Sequence, residues 1–182
     1  MSESASEFSA GAGLSDEPEQ ACMTNAERFI LVHTRSFEWP ANFQPSSKYF
    51  RLFVAADATS TPTERISRFA EEALTKGMVY CCAWGPGCER VHDIVDETLV
   101  ASEAFGPGSF APATRDDTLM TTWHEREELE DALEFFVSYS CPTVSYLNES
   151  SVWLILSVAN PMWSAAVREY FQKLHKPLEE PH

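Results

Sequence analysis

The chain has 182 residues, of which 44% are hydrophobic and 12% aromatic, which is enough for a globular core and excludes wholesale disorder. With 28 acidic and 13 basic residues, its formal charge of −15 argues against nonspecific binding to nucleic acid or to anionic lipid, because both depend on basic residues. No apolar run approaches the roughly 18 residues that a membrane-spanning helix needs.

Residues 1–26 combine acids with Ser, Ala and Gly and contain no Lys or Arg, which predicts a disordered acidic tail. A single α/β domain is expected at residues 27–176, followed by a short C-terminal tail at 177–182. The start of the chain lacks the basic and apolar regions of a signal peptide. Cys81 and Cys82 are adjacent within an apolar run and no Cys-x-x-Cys pair is present, so we expect reduced thiols in a cytoplasmic protein.

Apolar runs predict strands at residues 29–34, 49–56, 78–84, 119–122 and 152–159. The first of them is expected at an edge of the sheet or in a hairpin. Helical spacing of apolar residues predicts a helix after each of the last four strands, marked by Ile66–Leu74, Val91–Leu99, Leu129–Val137 and Met162–Leu174.

Three signals predict where helices begin. Thr61 with Glu64, and Thr122 with Glu125, have the spacing of a capping box, and Asn160 precedes a proline suited to the first helical position. Together the alternating units predict an α/β fold, a three-layer open and mostly parallel sheet of about four core strands. Such a sheet is Rossmann-like or flavodoxin-like, with helices on both faces.

Ligands of open α/β sheets bind outside the carboxyl ends of the strands. This rule selects seven residues as candidate ligand contacts: Asp57, Trp84, Gly85, Gly87, Trp123, His124 and Asn160. Tryptophans beside a few polar groups are typical of a small-molecule pocket, and glycines at a helix start suit an anion. The sequence therefore predicts a cleft for a small ligand or an anion. No Gly-x-Gly-x-x-Gly or Walker loop is present, so no cofactor is expected.

The segment Trp84–Asp93 (WGPGCERVHD) also allows thiol chemistry. Cys88 falls in the first turn of a helix, where thiol pKa values are lowered, and His92 lies one turn later on the same face. The two could act as nucleophile and base. In the alternative interpretation, Gly-Pro-Gly is only a turn and Cys88 is a small buried residue.

Acids and histidines near the strand ends also raise the question of a metal site: Asp57, His92, Asp93, His124 and Glu125. Because His92 and Asp93 are neighbours on a helix and point about 100° apart, no metal is expected. The acids between Glu127 and Glu134 indicate either a solvated helix face or a docking surface for a basic protein partner.

The run WGPGCERVHD, followed by TTWHE and an apolar strand that ends in Asn-Pro, resembles an uncharacterised bacterial domain family over Tyr49–Leu174. The resemblance implies a bacterial, cytoplasmic origin and assigns no catalytic residue. The function expected first is an acidic binding or interaction module with a small-ligand or anion cleft. Two alternatives stay open: a thiol-dependent enzyme that uses Cys88 and His92, and an acidic inhibitor or immunity-type protein that masks a basic partner surface.

Overall fold

The structure of the protein, a computed structural model, describes residues 28–40, 43–104 and 118–179; the predicted acidic tail lies outside them. The strands are β1 (Arg28–Thr34), β2 (Phe50–Ala55), β3 (Met78–Trp84), β4 (Met120–His124), β5 (Val152–Val158) and β6 (Leu178–Glu179). The helices are α1 (Thr63–Thr75), α2 (Cys88–Ala104), α3 (Leu129–Tyr139), the single turn α4 (Val144–Leu147) and α5 (Pro161–Lys173).

The strands form one sheet in the order β4-β3-β2-β5-β1-β6, and every pairing is parallel. The predicted three-layer α/β fold is confirmed. The expected edge or hairpin position of the first strand is wrong: β1 lies between β5 and β6, and its residues Phe29–Val32 are all buried. Leu178 and Glu179, which the sequence placed in a C-terminal tail, pair with β1 as β6.

Helices cover both faces of the sheet because the strands are apolar on both sides. On β2, Leu52 and Val54 pack with α1 and α2, whereas Phe53 and Ala55 pack with α3 and α5. The chain therefore leaves β2 towards one face, through α1, and leaves the neighbouring strand β5 towards the other face, through α5. This reversal makes the β2–β5 boundary the topological switch point of the sheet.

One of the three predicted helix starts is confirmed. The Asn160 side chain accepts hydrogen bonds from the backbone N–H groups of Met162 and Trp163, with Pro161 as the first residue of α5. Neither capping box forms. The N-cap of α1 is Pro62, and Thr122 lies inside β4, because pairing with β3 extends that strand as far as His124.

Cys81, Cys82 and Cys88 are free and buried. Cys141 is disulfide-bonded, so the expectation of reduced thiols is wrong for this residue. In the part of the chain that the structure describes, no helix combines the length and the apolar character needed to cross a membrane.

Candidate functional site

A crevice of about 520 Å³ opens at the carboxyl ends of β1, β2 and β5. Its volume is in the range of small-molecule sites, about 300–1,000 Å³. It lies at the switch point of the sheet, where α1 and α5 begin on opposite faces. Its polar walls include Arg35, Asp57, Thr61, Arg65 and Asn160, and its apolar walls include Phe37, Val158 and Trp163.

Asp57 follows β2 and carries a fixed negative charge into the crevice. Its Oδ1 accepts hydrogen bonds from the Thr59 hydroxyl at 2.6 Å and from the Thr59 backbone N–H at 3.0 Å. These two hydrogen bonds lower the pKa of Asp57 below its ordinary value, and the bond from the hydroxyl has the larger effect. The side chain is exposed and oriented by its own turn, so it stays ionised at neutral pH.

Positive charge comes from the start of α1 and from two arginines. No side chain caps α1, since its N-cap is Pro62, so the first-turn N–H groups of Thr63 and Glu64 lack helical partners and carry partial positive charge. Arg35 follows β1 and Arg65 lies in the first turns of α1, both at the crevice wall. An Arg65 Nη1 atom is 3.6 Å from Glu38 Oε1, but both side chains are largely exposed, which leaves the guanidinium accessible.

The opposite wall is the tight turn between β5 and α5. Ala159 has a left-handed backbone, with φ of 56°, and its N–H donates to the carbonyl of Thr34 at 2.7 Å. The Ser157 hydroxyl donates to the carbonyl of Asn160 at 3.1 Å. A left-handed conformation costs a non-glycine residue on the order of 1 kcal/mol and is retained where the surroundings impose it. Here the end of β1 imposes it and fixes Asn160 at the crevice.

The predicted glycine turn supports the crevice from behind. Gly85 has a φ of 105°, and a Cβ there would lie 2.5 Å from the carbonyl oxygen of Ala56. Gly87 has a φ of 72°, and a Cβ there would lie 3.1 Å from the backbone nitrogen of Thr59. The two glycines therefore permit close packing against the segment that carries Asp57.

The same segment is held from α2. An Arg90 Nη1 atom donates to the carbonyl of Ala58 at 2.9 Å, and Nη2 donates to the Thr63 hydroxyl at 2.8 Å. The backbone N–H of Ala58 also donates to the carbonyl of Pro86 at 2.8 Å. The loop between β2 and α1 is thus fixed by main-chain and arginine contacts before any ligand arrives.

The structure divides the other predicted ligand contacts between two places. Asp57 and Asn160 line the crevice, and Trp84 lies beside it, with its ring centroid 5.3 Å from that of Trp163. The Trp84 indole N–H donates to the carbonyl of Glu127 at 2.8 Å, which holds the ring in place. Trp123 and His124 lie on β4, two strands away from β2.

His124 is buried beneath α3. Its Nδ1 is 2.7 Å from an oxygen of Glu127, and its ring centroid is 4.6 Å from that of Phe135. Its Nε2 has no hydrogen-bond partner within the described residues. Trp123 lies on the opposite face of β4, with its ring centroid 4.4 Å from that of His92.

The geometry does not favour the predicted thiol chemistry, which stays a prediction. Cys88 is the first residue of α2 but only 1% exposed, and burial raises the pKa of its thiol. A nucleophilic cysteine requires the opposite, an accessible thiolate. His92 makes its contacts elsewhere, with Nδ1 3.0 Å from Asp93 Oδ1 and Nε2 3.6 Å from Asp96 Oδ2.

The metal-type residues are likewise dispersed. Asp57 lies in the crevice, His92 and Asp93 on α2, and His124 beneath α3. Among the described residues, no three His, Cys, Asp or Glu side chains are grouped so that they could hold a metal ion.

Sequence reasoning missed the arginines and Phe37. Arg35 directly follows β1, which is the position that the strand-end rule selects. The prediction placed this strand at an edge of the sheet or in a hairpin, so Arg35 was not among the candidate residues. Arg65 carried no comparable signal, because an arginine in the first turns of a helix is usually a solvated side chain.

A protein-family model described as "Domain of unknown function (DUF7684)" matches residues 29–174. The match runs from β1 to the end of α5 and so includes every element of the crevice. No curated protein and no solved structure matches the chain.

Proposed function

The chain belongs to the family described as a domain of unknown function, DUF7684, as its resemblance to an uncharacterised domain family predicted, and we propose that it binds a small anionic organic molecule in the crevice. One observation carries the proposal: the uncapped start of α1, Arg35 and Arg65 meet at the switch point of a parallel sheet.

Each wall has a role in this proposal. The first-turn N–H groups of α1 and the two guanidinium groups bind the acidic group of the ligand. Phe37, Val158 and Trp163 contact its apolar part. The carboxylate of Asp57 repels a second acidic group and accepts a hydrogen bond, so it selects a ligand that also carries a donor, such as a hydroxyl or amine.

Binding is favoured over catalysis by what surrounds the crevice. Cys88 is buried behind the wall, and its raised pKa keeps it protonated at neutral pH. The described lining contains arginine, aspartate, asparagine and hydroxyl side chains that orient a ligand. We therefore infer a binding module, with the thiol-dependent enzyme as the alternative.

A titration with inorganic phosphate, followed by backbone amide chemical shifts, tests the site. Sodium chloride at matched ionic strength is the control for screening. We expect saturable shifts at the non-proline residues of 60–64 and 160–163. Arg35→Gln and Arg65→Gln should each weaken the phosphate affinity about ten-fold, or about 1.4 kcal/mol.

The matched control is Arg68→Gln, which removes the same charge from an exposed position on α1 outside the crevice lining. It should leave the phosphate affinity unchanged. Linear shifts without saturation, or equal weakening by Arg68→Gln, would exclude a built anion site.

We also propose that the protein is bacterial and functions in the cytoplasm. Three free, buried thiols support a reducing compartment, whereas the disulfide at Cys141 does not. Thiol alkylation of the intact host cell, followed by mass spectrometry of the chain, measures the oxidation state of Cys141. A fully oxidised Cys141 would argue for a different compartment.

A further inference from the structure

The outer edge of β4 is the second feature of this molecule that fits a partner. Within the described residues, β4 pairs with β3 on one side and with no strand on the other. Edge strands are usually protected by lysine, proline, a bulge or extreme shortness. The opposite edge, β6, has only two residues, and Glu179 there forms an ion pair with Arg28. Met120–His124 has five residues, contains neither lysine nor proline, and pairs with β3 without a bulge.

Apolar side chains flank this edge on both faces of the sheet. On the α2 face, Trp123 is 46% exposed beside His92. On the α3 face, Tyr139 is 55% exposed, and its ring centroid is 5.8 Å from that of Phe135, which in turn contacts His124. Together with Met120 these rings give an added strand an apolar surface to cover on either side.

Acidic groups also flank the edge on both faces. On α2, Asp96 accepts a hydrogen bond from the Thr121 hydroxyl of β4 at 2.8 Å, and Asp93 is exposed one turn earlier. On the α3 side, the carboxylate of Glu127 reaches His124 of β4. These acids add to a chain whose formal charge is already −15.

We propose that the β4 edge binds an extended, basic segment of another protein as an additional strand. The backbone groups of β4 that face away from β3 would pair with that segment, as in β-augmentation. Its alternating side chains would reach the two faces, where Lys or Arg meets Asp96 or Glu127 and apolar residues meet Trp123 or Tyr139. A second copy of this chain is the poorer occupant, because it would bring another charge of −15 to an acidic surface.

Synthetic peptides of about ten residues provide the probe: alternating Lys and Val, alternating Glu and Val, and alternating Lys and Gly. The Lys–Gly peptide keeps the charge and removes the strand propensity. We expect the Lys–Val peptide alone to bind saturably and to slow hydrogen exchange of those amides of Met120–His124 that face away from β3. Equal binding of the Lys–Gly peptide, or binding without that protection, would show charge attraction only and overturn the proposal.

Substitutions at the β4 edge test whether the Lys–Val peptide binds there. The triple variant Asp93→Asn, Asp96→Asn, Glu127→Gln should weaken binding of the Lys–Val peptide at least ten-fold, and Trp123→Lys should abolish it. The matched control Glu71→Gln, Glu72→Gln removes charge from exposed positions of α1 and should leave binding unchanged. Circular dichroism and thermal melting verify that each variant folds.

The oligomeric state without peptide decides between occupants. Sedimentation should show a monomer for the wild type and for Trp123→Lys. A wild-type dimer that Trp123→Lys converts to a monomer would show that a second copy covers the edge, and the proposal would be wrong.

Discussion

The crevice and the β4 edge belong to one sheet yet present opposite chemistries. The crevice is concave, lies at the ends of the strands, and collects Arg35, Arg65 and the start of α1. The β4 edge runs along the side of a strand and combines exposed aromatic rings with carboxylates. Strand ends therefore suit a small ligand, which helix starts can surround, whereas the unpaired side of a strand suits another backbone.

Alkaline pH is expected to unfold the crevice and the β4 edge together. The strand β3 lies between them and carries two buried groups that lose protons at high pH. Burial raises the pKa of Cys81, ordinarily 9.0, and of Tyr80, ordinarily 10.0, each to about 12. The folded chain keeps these protons after the unfolded chain has lost them, so the free energy of unfolding falls as pH rises from about 9 towards 12.

Circular dichroism and tryptophan fluorescence against pH should therefore show one cooperative loss of structure in that interval. Amide signals of the crevice and of β4 should disappear in parallel. Loss of one region well before the other would show that β3 does not couple them.

Gly85→Ala is expected to damage the crevice and spare the edge. The added Cβ overlaps the carbonyl of Ala56, and a φ of 105° is unfavourable for alanine. We expect a loss of about 2 kcal/mol or more in the free energy of unfolding, or roughly 5 °C in Tm, with weaker phosphate binding. Pro86→Ala, at the exposed centre of the same turn, should cost less than about 1 kcal/mol. Equal effects of the two substitutions would contradict the packing role of Gly85.

Alkylation of Cys88 tests the turn between the two regions. The thiol is buried and its pKa is raised. We therefore expect N-ethylmaleimide at pH 7 to react with Cys88 at least ten-fold more slowly than it reacts with the free thiol of glutathione. Urea should remove the protection, and Cys88→Ser identifies the modified peptide by mass spectrometry. Fast labelling of the native protein would favour the thiol-dependent enzyme over the binding module.

Asn160→Ala has the smallest expected effect and concerns the crevice alone. Removing the side chain that caps α5 should cost about 1 kcal/mol, a fall of roughly 2–4 °C in Tm. Peptide binding at the β4 edge should be unchanged. Asn148→Ala, at an exposed asparagine that caps no helix start, is the control. If both variants melt at the same temperature, the cap contributes nothing measurable.

The sequence predicted those parts of the molecule whose signals lie within a few residues. Apolar periodicity located the helices and main strands, and the pair Asn160 and Pro161 located the start of α5. Asp57 and Asn160 were found because the strand-end rule needs only the order of elements along the chain.

Features that depend on which strands are neighbours were not predictable in this way. The position of β1 between β5 and β6 brings Arg35 to the crevice, and no local signal encodes that position.

The packing role of the glycine turn was not predictable from the sequence either. Its sequence fits an anion loop or a simple turn equally, and only contact with Ala56 and Thr59 reveals its packing role.

The strand order has a consequence for how the chain is made. β5 pairs with both β1 and β2, yet Val152, the partner of Arg28, is synthesised more than a hundred residues later. At about 5–20 residues per second, the apolar strand β1 leaves the ribosome on the order of ten seconds before its partner exists. Closing such a distant pairing is slow, so the nascent chain must keep Phe29–Val32 from aggregating until β5 completes the centre of the sheet.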